Sequence, residues 1–269
     1  MAIYSKLITV IMCAHSIAAT AQEANMTQVN FNTGDKVSVY KDGELLYPIP
    51  AEHPTVYAEP NMSESFTAFG ANWKRNASDY EYAISDLEDG SQRFILRPGD
   101  MREGSDTNNL RERAEASGSD NAEPISGIFD ADFHYTPHAY DSASWSSIVQ
   151  IITDDTDPSL SYQPLIKMQH RNGVLTLDAY GPGQFTNIAT IAAPQLGEDK
   201  FVRITVDFSS GYVRWALDNA TMFSGQVSML AIEGQTSGNV YFKYGAYREG
   251  GVPETVITDF HSVTFEKRS

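Results

Sequence analysis

The stretch "YFKYGAYRE", Tyr241 to Glu249, alternates as a β-strand does, and one of its faces carries Tyr241, Lys243, Gly245 and Tyr247. Lys243 argues against an ordinary core strand, because a lysine is rarely buried without a partner. The rise of a strand predicts about 13 Å between Lys243 and Tyr247. Gly245 between them predicts a floor without a side chain, which a ring or a backbone can approach closely.

The rest of the chain has the texture of an all-β protein from Phe66 onward. Short runs rich in Val, Ile, Tyr, Phe and Thr, such as "GIFDADFHY" and "SSIVQIIT", are separated by turn residues. "HRNGV" and "FSSGY" are typical of hairpin turns, and no window keeps a helical period, so helices should be few and short. We therefore predict a β-jelly-roll sandwich of two antiparallel sheets, one of them concave and forming a groove for an extended polymer.

The N-terminus predicts export. Lys6 is the only charge before Glu23, an apolar run follows it, and "ATA" at Ala19–Ala21 has the small-x-small pattern of a cleavage site. We expect a signal peptide over 1–21 and a single mature domain over 22–269, in which 22–64 forms an irregular arm of short strands and loops. The only cysteine, Cys13, lies in the signal, so the predicted mature domain is secreted without disulfides.

The charge of the chain limits its partners. Its 35 acidic and 19 basic residues give a formal net charge of -16, which repels nucleic acid and anionic membranes at long range. No segment after the signal reaches the length of about 18 apolar residues that a membrane span needs. An anionic substrate is still allowed, since local arginines and lysines dominate within a Debye length.

Three further strands carry polar residues on one face. In "NNLRERAEAS", alternation puts Arg111, Arg113 and Glu115 together, a good clamp for a carboxylate or simply an exposed charged edge. In "SSIVQIITDD", Gln150 shares a face with Ile148, Ile152 and Asp154, either as a buried amide or as a donor to a substrate.

In "PLIKMQHRNG", one face carries Lys167, Gln169 and Arg171, which suits a sugar groove and plain solvent equally well. The acidic loop "TDDTDPS" at 153–159 could hold a structural calcium ion through oxygen ligands, although a solvated loop explains it as well. The sequence has no zinc-ligand spacing, phosphate loop or nucleophile elbow, so we predict no catalytic metal and no required cofactor.

"YFKYGAYR" resembles the Tyr-Phe-Lys-x-Gly-x-Tyr strand of the jelly-roll polysaccharide lyases, a group that includes alginate lyases, glucuronan lyases and the heparin-lyase-I type. "RAE" at 113–115 resembles the early Arg-Ser/Thr-Glu strand of that group, and "VQII" followed by "PLIKMQ" resembles its Gln-Ile-His segment and the strand after it. The resemblance runs from about Phe66 to the C-terminus. Arg248, after the last motif, is more typical of the glucuronan and heparin-lyase-like branch.

The resemblance implies roles for individual residues. Arg113 and Gln150 would neutralise the substrate carboxylate, Tyr247 would protonate the departing O4, and Lys243 would hold the carboxylate or lower the pKa of Tyr247. Arg111, Glu115, Lys167, Gln169, Arg171, Tyr241 and Arg248 would line the substrate groove.

Two positions depart from the pattern: Ser117 replaces an arginine, and Ile152 replaces the histidine that would serve as base. Either Tyr247 is then both base and acid, or a histidine from another strand substitutes. The best candidates for that histidine are His134 and His138, ahead of His53 and His170.

The resemblance implies a secreted, monomeric polysaccharide lyase that cleaves a uronic-acid polymer by β-elimination. The alternative is a non-catalytic, lectin-like sandwich that binds an anionic polysaccharide, which Ile152 motivates. A structural or adhesive extracellular protein is a third and weaker interpretation.

Overall fold

The computed structural model describes residues 27–31, 37–41, 44–49, 56–78, 80–97, 111–140, 145–154, 164–181, 184–228, 238–249 and 254–268. These ranges are almost entirely β-strand, with one 3-10 turn at Ser119–Asn121. The strands, in chain order, are β1 Thr27–Phe31, β2 Val37–Lys41, β3 Glu44–Ile49, β4 Val56–Pro60, β5 Ser65–Ala68, β6 Ala71–Ala77, β7 Ile84–Leu87, β8 Gln92–Leu96, β9 Arg111–Ser117, β10 Glu123–Pro124, β11 Ile128–Ala139, β12 Trp145–Thr153, β13 Pro164–Arg171, β14 Val174–Gly181, β15 Gln184–Ala192, β16 Lys200–Asp207, β17 Tyr212–Leu217, β18 Ala220–Gln226, β19 Asn239–Glu249 and β20 Val256–Lys267.

The strands form two antiparallel sheets. The larger sheet has eleven strands in the order β18-β17-β16-β11-β20-β8-β7-β4-β1-β2-β3. The smaller has nine, in the order β15-β14-β13-β12-β19-β9-β6-β5, with β10 pairing β19 beside that path. The two-sheet sandwich predicted from the alternating runs is confirmed, and the region expected to be an irregular arm contributes four short strands to the larger sheet.

Two hairpins follow the predicted turn chemistry. Arg171 pairs with Val174 across Asn172 and Gly173, whose φ angles of 50° and 76° match a two-residue turn with two left-handed residues. Asp207 pairs with Tyr212 across the longer "FSSG" turn. Both turns fix the register of the strands that they join.

The core fills the space between the sheets with aromatic rings. Phe133 of β11 and Phe242 of β19 have ring centres 6.1 Å apart, and Tyr244 packs on Phe94 of β8 at 5.2 Å. All four are fully or almost fully buried. Apolar burial of this kind is worth about 25 cal/mol per Å², which is how a fold without disulfides is held together. The core also anchors β19, so the opposite face of that strand lies on a rigid support.

No helix among the residues that the structure describes has the length and apolarity needed to cross a bilayer.

Candidate functional site

The outer surface of the nine-stranded sheet, which we call the polar face, is set by alternation against the core. In β19 the core takes Phe242, Tyr244 and Ala246, so Lys243 and Tyr247 point the other way. The same alternation in the neighbouring strands builds a surface that is mostly polar. Its members are Asn76, Arg113, Glu115, Trp145, Ser147, Gln150, Ile152, Lys167, Gln169, Arg171, Thr176, Asp178, Tyr241, Lys243 and Tyr247.

A β-bulge in β12 decides which of its residues reach the polar face. Ser147 pairs with Tyr247 on one side, and the next paired residue is Val149, so Ile148 has no partner on either neighbouring strand. Ile148 and Val149 both lie in the core, and Gln150 returns to the polar face. The expectation that Ile148 shares a face with Gln150 is therefore wrong, because alternation is broken between them.

The register also separates Ile152, at the position expected for the base, from Tyr247. Ile152 pairs with Tyr241, which is six residues from Tyr247 along β19, or about 20 Å by the rise of a strand. The β12 residue beside Tyr247 is Ser147, and Gln150 lies beside Lys243 instead. Ile152 and Tyr241 are both buried, and neither belongs to the inter-sheet core.

Arg113 and Tyr247 are direct partners across β9 and β19. The Arg113 guanidinium lies 4.4 Å from the centre of the Tyr247 ring, within the range of a cation–π contact. Trp145 meets the same ring edge-on at 5.6 Å. A quarter of the Arg113 side chain is exposed, so a cation and a phenol stand together where a ligand can reach them.

Glu115 is the buried hub beside this pair. Its Oε1 accepts a hydrogen bond from Gln150 Nε2 at 2.5 Å, and its Oε2 accepts one from Asn76 Nδ2 at 3.2 Å. Arg113 Nη1 lies 3.6 Å from Oε2. Two hydrogen bonds and one ion pair at this carboxylate restrict the orientation of its three partners. Glu115 thus positions Arg113 and Gln150, and its own side chain is almost fully buried.

A second buried carboxylate, Asp178 on β14, repeats the arrangement. It accepts hydrogen bonds from Gln169 Nε2 and from Asn187 Nδ2, the latter at 2.9 Å. Beside it, the Lys167 ammonium lies 3.8 Å from the centre of the Phe185 ring and 4.8 Å from that of Trp145. An ammonium at these distances makes cation–π contacts with both rings. Lys167 and Gln169 therefore join the polar face as predicted.

Gly245 does not provide the floor that the sequence suggested. Its φ is +129°, a conformation that side chains rarely adopt. A Cβ added there would lie 2.3 Å from the Ala114 carbonyl oxygen and 2.7 Å from Phe94, a core residue. Glycine is required because β9 and the core approach the backbone closely, not because a ligand does. It thereby allows β9, with Arg113, to lie tightly against β19.

Arg248 is not a groove residue. It points into the interior with none of its side chain exposed, and its Nε donates to Glu112 Oε2 at 2.7 Å. Its Nη1 also donates to the Glu254 carbonyl. Alternation forces this placement, because Tyr247 on the polar face turns the next residue inward. The predicted substrate contact is corrected to a buried structural ion pair.

His134 and His138, the predicted substitute bases, lie on β11 in the other sheet, so the structure does not bring them to Tyr247. His134 is exposed beside Asp199 at 3.2 Å. His138 is buried against Asp259 at 2.8 Å, and Arg93 donates two hydrogen bonds of 2.7 Å to the same carboxylate. Burial opposes ionisation of Asp259, but Arg93 and His138 outweigh it and hold the pKa of that carboxyl well below its usual range.

His170 faces inward from β13 and stacks on Tyr140 with ring centres 4.4 Å apart. Burial lowers its pKa to about 3, and neither ring nitrogen has a hydrogen-bond partner among the described residues. It is a neutral packing residue. His53, the remaining candidate, lies outside the described residues.

The other predicted groove residues are distributed along the polar face. Arg171 is exposed at the end of β13 beside Trp145, and Tyr241 is buried at the far end of β19. The backbone of Arg111 follows the predicted strand at the start of β9, and its side chain lies outside the described part of the chain. Most of the acidic loop at 153–159 also lies outside it. The described residues contain no group of three or more His, Cys, Asp or Glu side chains placed to hold a metal ion.

Five residues of the polar face were not predicted from the sequence: Asn76, Trp145, Ser147, Thr176 and Asp178. Asp178 sits in "LTLDAYG", where a single carboxylate interrupts an apolar run, and that signal could have marked it. Ser147 could not have been found, because the bulge that directs it to Tyr247 has no signature in "SSIVQ".

No protein-family model and no curated protein sequence matches the chain, whereas solved structures do. Alginate lyase A1-II′, of polysaccharide lyase family 7, is 18% identical with a TM-score of 0.55 over 69% of this chain and 83% of that one. Alginate lyase AlgAT5 of the same family is 14% identical with a TM-score of 0.50 over 92% and 96%. Alginate lyase AlyC3, in complex with dimannuronate, is 10% identical with a TM-score of 0.52 over 91% of both chains. The predicted jelly-roll polysaccharide-lyase fold is confirmed.

Proposed function

We propose that the chain is a polysaccharide lyase that cleaves a polymer containing 4-linked uronic acids by β-elimination. The observation that carries the proposal is the pair of Arg113 and Tyr247, in register on the exposed side of β9 and β19. The pair lies in a fold shared with solved alginate lyases. A cation next to a phenol is the minimum that this elimination requires.

The reaction removes the proton from C5, forms a double bond between C4 and C5, and breaks the bond from C4 to O4. The C5 proton becomes acidic only when the negative charge on the adjacent carboxylate is neutralised. In the proposed reaction Arg113 binds that carboxylate, because a planar guanidinium matches its two oxygens. Tyr247 supplies a hydroxyl for proton transfer, which contributes about 10²–10⁴-fold in such reactions.

The remaining polar residues bind and orient the polymer. Gln150 and Lys243 lie side by side across β12 and β19, next to Glu115. Lys167 lies on the following strand, opposite Gln150. These lysines and Arg113 form a local cationic path on a chain of charge -16, and attraction at contact distance exceeds the screened repulsion of distant carboxylates.

The test is product analysis after incubation with a panel of polyuronates. We expect oligosaccharides whose non-reducing ends carry an unsaturated uronate, detected by ultraviolet absorbance and mass spectrometry. Arg113→Ala should abolish product at unchanged folding, judged by circular dichroism. Arg203→Ala, an arginine on the other sheet, is the matched control and should leave the rate unchanged. Saturated products, or none on any polyuronate, would refute the proposal.

A non-catalytic carbohydrate-binding sandwich is the second candidate. The oxygens of the two carboxylates on the polar face, Glu115 and Asp178, accept hydrogen bonds from side-chain amides. Neither is therefore an obvious general base, which favours binding without chemistry. Calorimetry separates the two functions: heat of binding to a polyuronate with no change in polymer length supports the lectin, and progressive shortening excludes it.

The proposal also covers the location of the protein and its oligomeric state. We propose that the protein is exported and acts as a monomer on an anionic polysaccharide. The charge pattern of the first 21 residues supports export. N-terminal sequencing of protein recovered from outside the cell, expected to begin at Gln22, and light scattering in solution test the two points.

A further inference from the structure

A cavity opens between the two sheets, next to the β5–β6 hairpin that ends the smaller sheet. Its volume is about 240 Å³, and an apolar cavity of about 150 Å³ is already large enough to hold a benzene ring. Phe69 and Trp73 of the hairpin, Phe242 of β19 and Phe265 of β20 line it. Tyr247 leaves β19 on the opposite face, so the cavity is separate from the polar face.

Phe242 and Phe265 present their edges to the cavity, because other rings cover their faces. Phe265 is stacked between Phe129 and Phe242, whose ring centres are 5.2 and 5.5 Å away at interplanar angles of 18° and 15°. Tyr244 is the next ring beyond Phe242, at 6.4 Å and 21°. The edge of an aromatic ring carries partial positive charge, and its face carries partial negative charge. This wall of the cavity therefore favours the face of another aromatic ring over a cation.

The Trp73 wall of the cavity is held in place by its neighbours. Its ring meets that of Tyr244 edge-on, with centres 4.7 Å apart, and it is almost fully buried. A Cβ at Gly118 would lie 3.1 Å from Trp73 Cζ3, so a glycine lets the backbone pack closely on the indole. A wall that is already ordered lowers the entropy cost of binding a ligand.

The rim of the cavity offers hydrogen-bond acceptors. Glu266 lines it from β20 and is exposed. Asn121 lines it from the 3-10 turn, and its amide nitrogen donates to the Asn72 carbonyl at 2.9 Å, which leaves the side-chain oxygen to accept. The Trp73 indole N–H donates to the Ala68 carbonyl at 3.0 Å. A ligand that suits this rim brings a donor, whereas a carboxylate would be repelled by Glu266.

We propose that this cavity binds a small planar aromatic molecule that carries an N–H or O–H donor, such as an indole or a phenol. The face of the ligand ring lies against the edges of Phe242 and Phe265, and its donor reaches Glu266 at the rim. The volume of about 240 Å³ suits one ring or two fused rings. Binding there uses none of the residues of the polar face and does not depend on lyase activity.

The first test is isothermal titration calorimetry of the purified protein with four probes: indole, phenol, cyclohexanol and benzoate. We expect indole and phenol to bind saturably and to displace each other. Cyclohexanol has the hydroxyl of phenol but no aromatic face, so it should bind about 2- to 10-fold more weakly than phenol. Benzoate replaces the donor with a carboxylate and should bind at least about 10-fold more weakly. No saturable binding of indole or phenol, or equal affinity for cyclohexanol and phenol, would overturn the proposal.

A cavity-filling variant places the ligand. Ala71 lines the cavity from β6, and Ala71→Leu should weaken indole binding at least about 10-fold because the added carbons occupy the space of the ring. Ala189→Leu makes the same change at another half-buried alanine that packs on the core outside the cavity. It should leave the affinity unchanged. Undiminished binding to folded Ala71→Leu protein, judged by circular dichroism, would place the ligand elsewhere and overturn the proposal.

A rim variant tests the donor and does not depend on how Ala71→Leu folds. Glu266→Gln, at an exposed position, should weaken phenol binding at least about 3-fold, because a hydrogen bond to a charged acceptor is the stronger one. Glu123→Gln, also exposed but on β10, is the matched control and should change nothing. Equal affinity of the Glu266→Gln and Glu123→Gln proteins for phenol would contradict the proposed orientation of the ligand and overturn the assignment of its class.

Discussion

The guanidinium of Arg113 lies 4.4 Å from the centre of the Tyr247 ring, and the two residues are opposite each other in adjacent strands. The register that aligns them depends on Gly245, where β9 approaches β19 too closely for any side chain. The orientation of Arg113 depends on Glu115. The central pair of the site is therefore held by a backbone constraint and by a buried carboxylate.

Arg113→Lys should lower kcat/KM by at least about 10-fold although the charge is kept. A lysine cannot present two parallel donors to a carboxylate or lie flat on the Tyr247 ring. Steady-state kinetics on the best polyuronate measures the effect. Arg203→Lys on the larger sheet is the control, and an equal loss in both variants would mean that Arg113 has no special role.

Glu115→Gln should reduce kcat more than it raises KM, because the substituted amide can no longer orient Arg113 and Gln150 together. It should also lower the free energy of unfolding by about 1–3 kcal/mol, since the new amide nitrogen cannot accept the hydrogen bond that one carboxylate oxygen accepted. Asp259→Asn is the matched control: it removes a buried carboxylate of the other sheet, to which Arg93 and His138 are bonded, and should affect stability but not kcat. Equal kinetic losses would argue against a positioning role.

Gly245→Ala should destabilise the fold more than Gly90→Ala. Both glycines have positive φ, of 129° and 85°, but only at Gly245 would a Cβ overlap other atoms. The conformation alone costs about 1–2 kcal/mol, and the overlap with Ala114 and Phe94 should add to it. Urea unfolding of the two variants separates strain from overlap, and similar midpoints would contradict the close approach of β9.

Arg248→Met should lower the free energy of unfolding by about 3–5 kcal/mol, because it leaves Glu112 buried without its cation. Adding Glu112→Leu should restore most of the loss, since a buried pair can be replaced by apolar residues. Thermal unfolding measures both. Arg171→Met, at an exposed position, is the control and should change stability little. A changed KM in folded Arg248→Met protein would contradict the structural role and indicate that Arg248 contacts the substrate.

Stability should fall as the pH is lowered through the range set by His170. Burial lowers its pKa to about 3 from an ordinary value of 6.5. Below about pH 6.5 the His170 imidazole therefore binds a proton in the unfolded chain but not in the folded protein. The free energy of unfolding then falls by about 1.4 kcal/mol for each pH unit. His170→Phe keeps the stacking on Tyr140 and should flatten the dependence between about pH 4.5 and 6.5. Met168→Leu, a buried change on the same strand that alters no titrating group, is the control and should leave the dependence unchanged.

Asp259 also makes the protein less stable as the pH falls, but over a lower pH range than His170. Its depressed pKa means that its contribution is present above the ordinary range of an aspartate and is lost as the pH falls below it. The His170 comparison is thus best made above that range.

The architecture could be predicted because it follows from alternation, turn residues and strand length, which depend only on residues close together in the sequence. The hairpin at Asn172 and Gly173 and the polar alternation of Lys167 and Gln169 were read from neighbouring residues alone. The same logic aligned Arg113 with Glu115 on one face of β9.

The errors arose where one strand's geometry depends on another. The bulge at Ile148 shifts Gln150 away from Tyr247, and it exists only because β12 pairs with β13 and β19. The role of Gly245 depends on Phe94, which lies far away in the sequence. Arg248 looked like a groove cation because its partner, Glu112, could be identified only from the pairing of β9 with β19.

The most direct test of the central claim is the rate of unsaturated-uronate formation by Tyr247→Phe, measured against wild type on polymannuronate and glucuronan. The substitution removes one oxygen atom and keeps the ring that packs on Arg113 and Trp145. We predict a folded protein that still binds polymer and forms product at least about 100-fold more slowly. A variant that retains the wild-type rate would contradict the account.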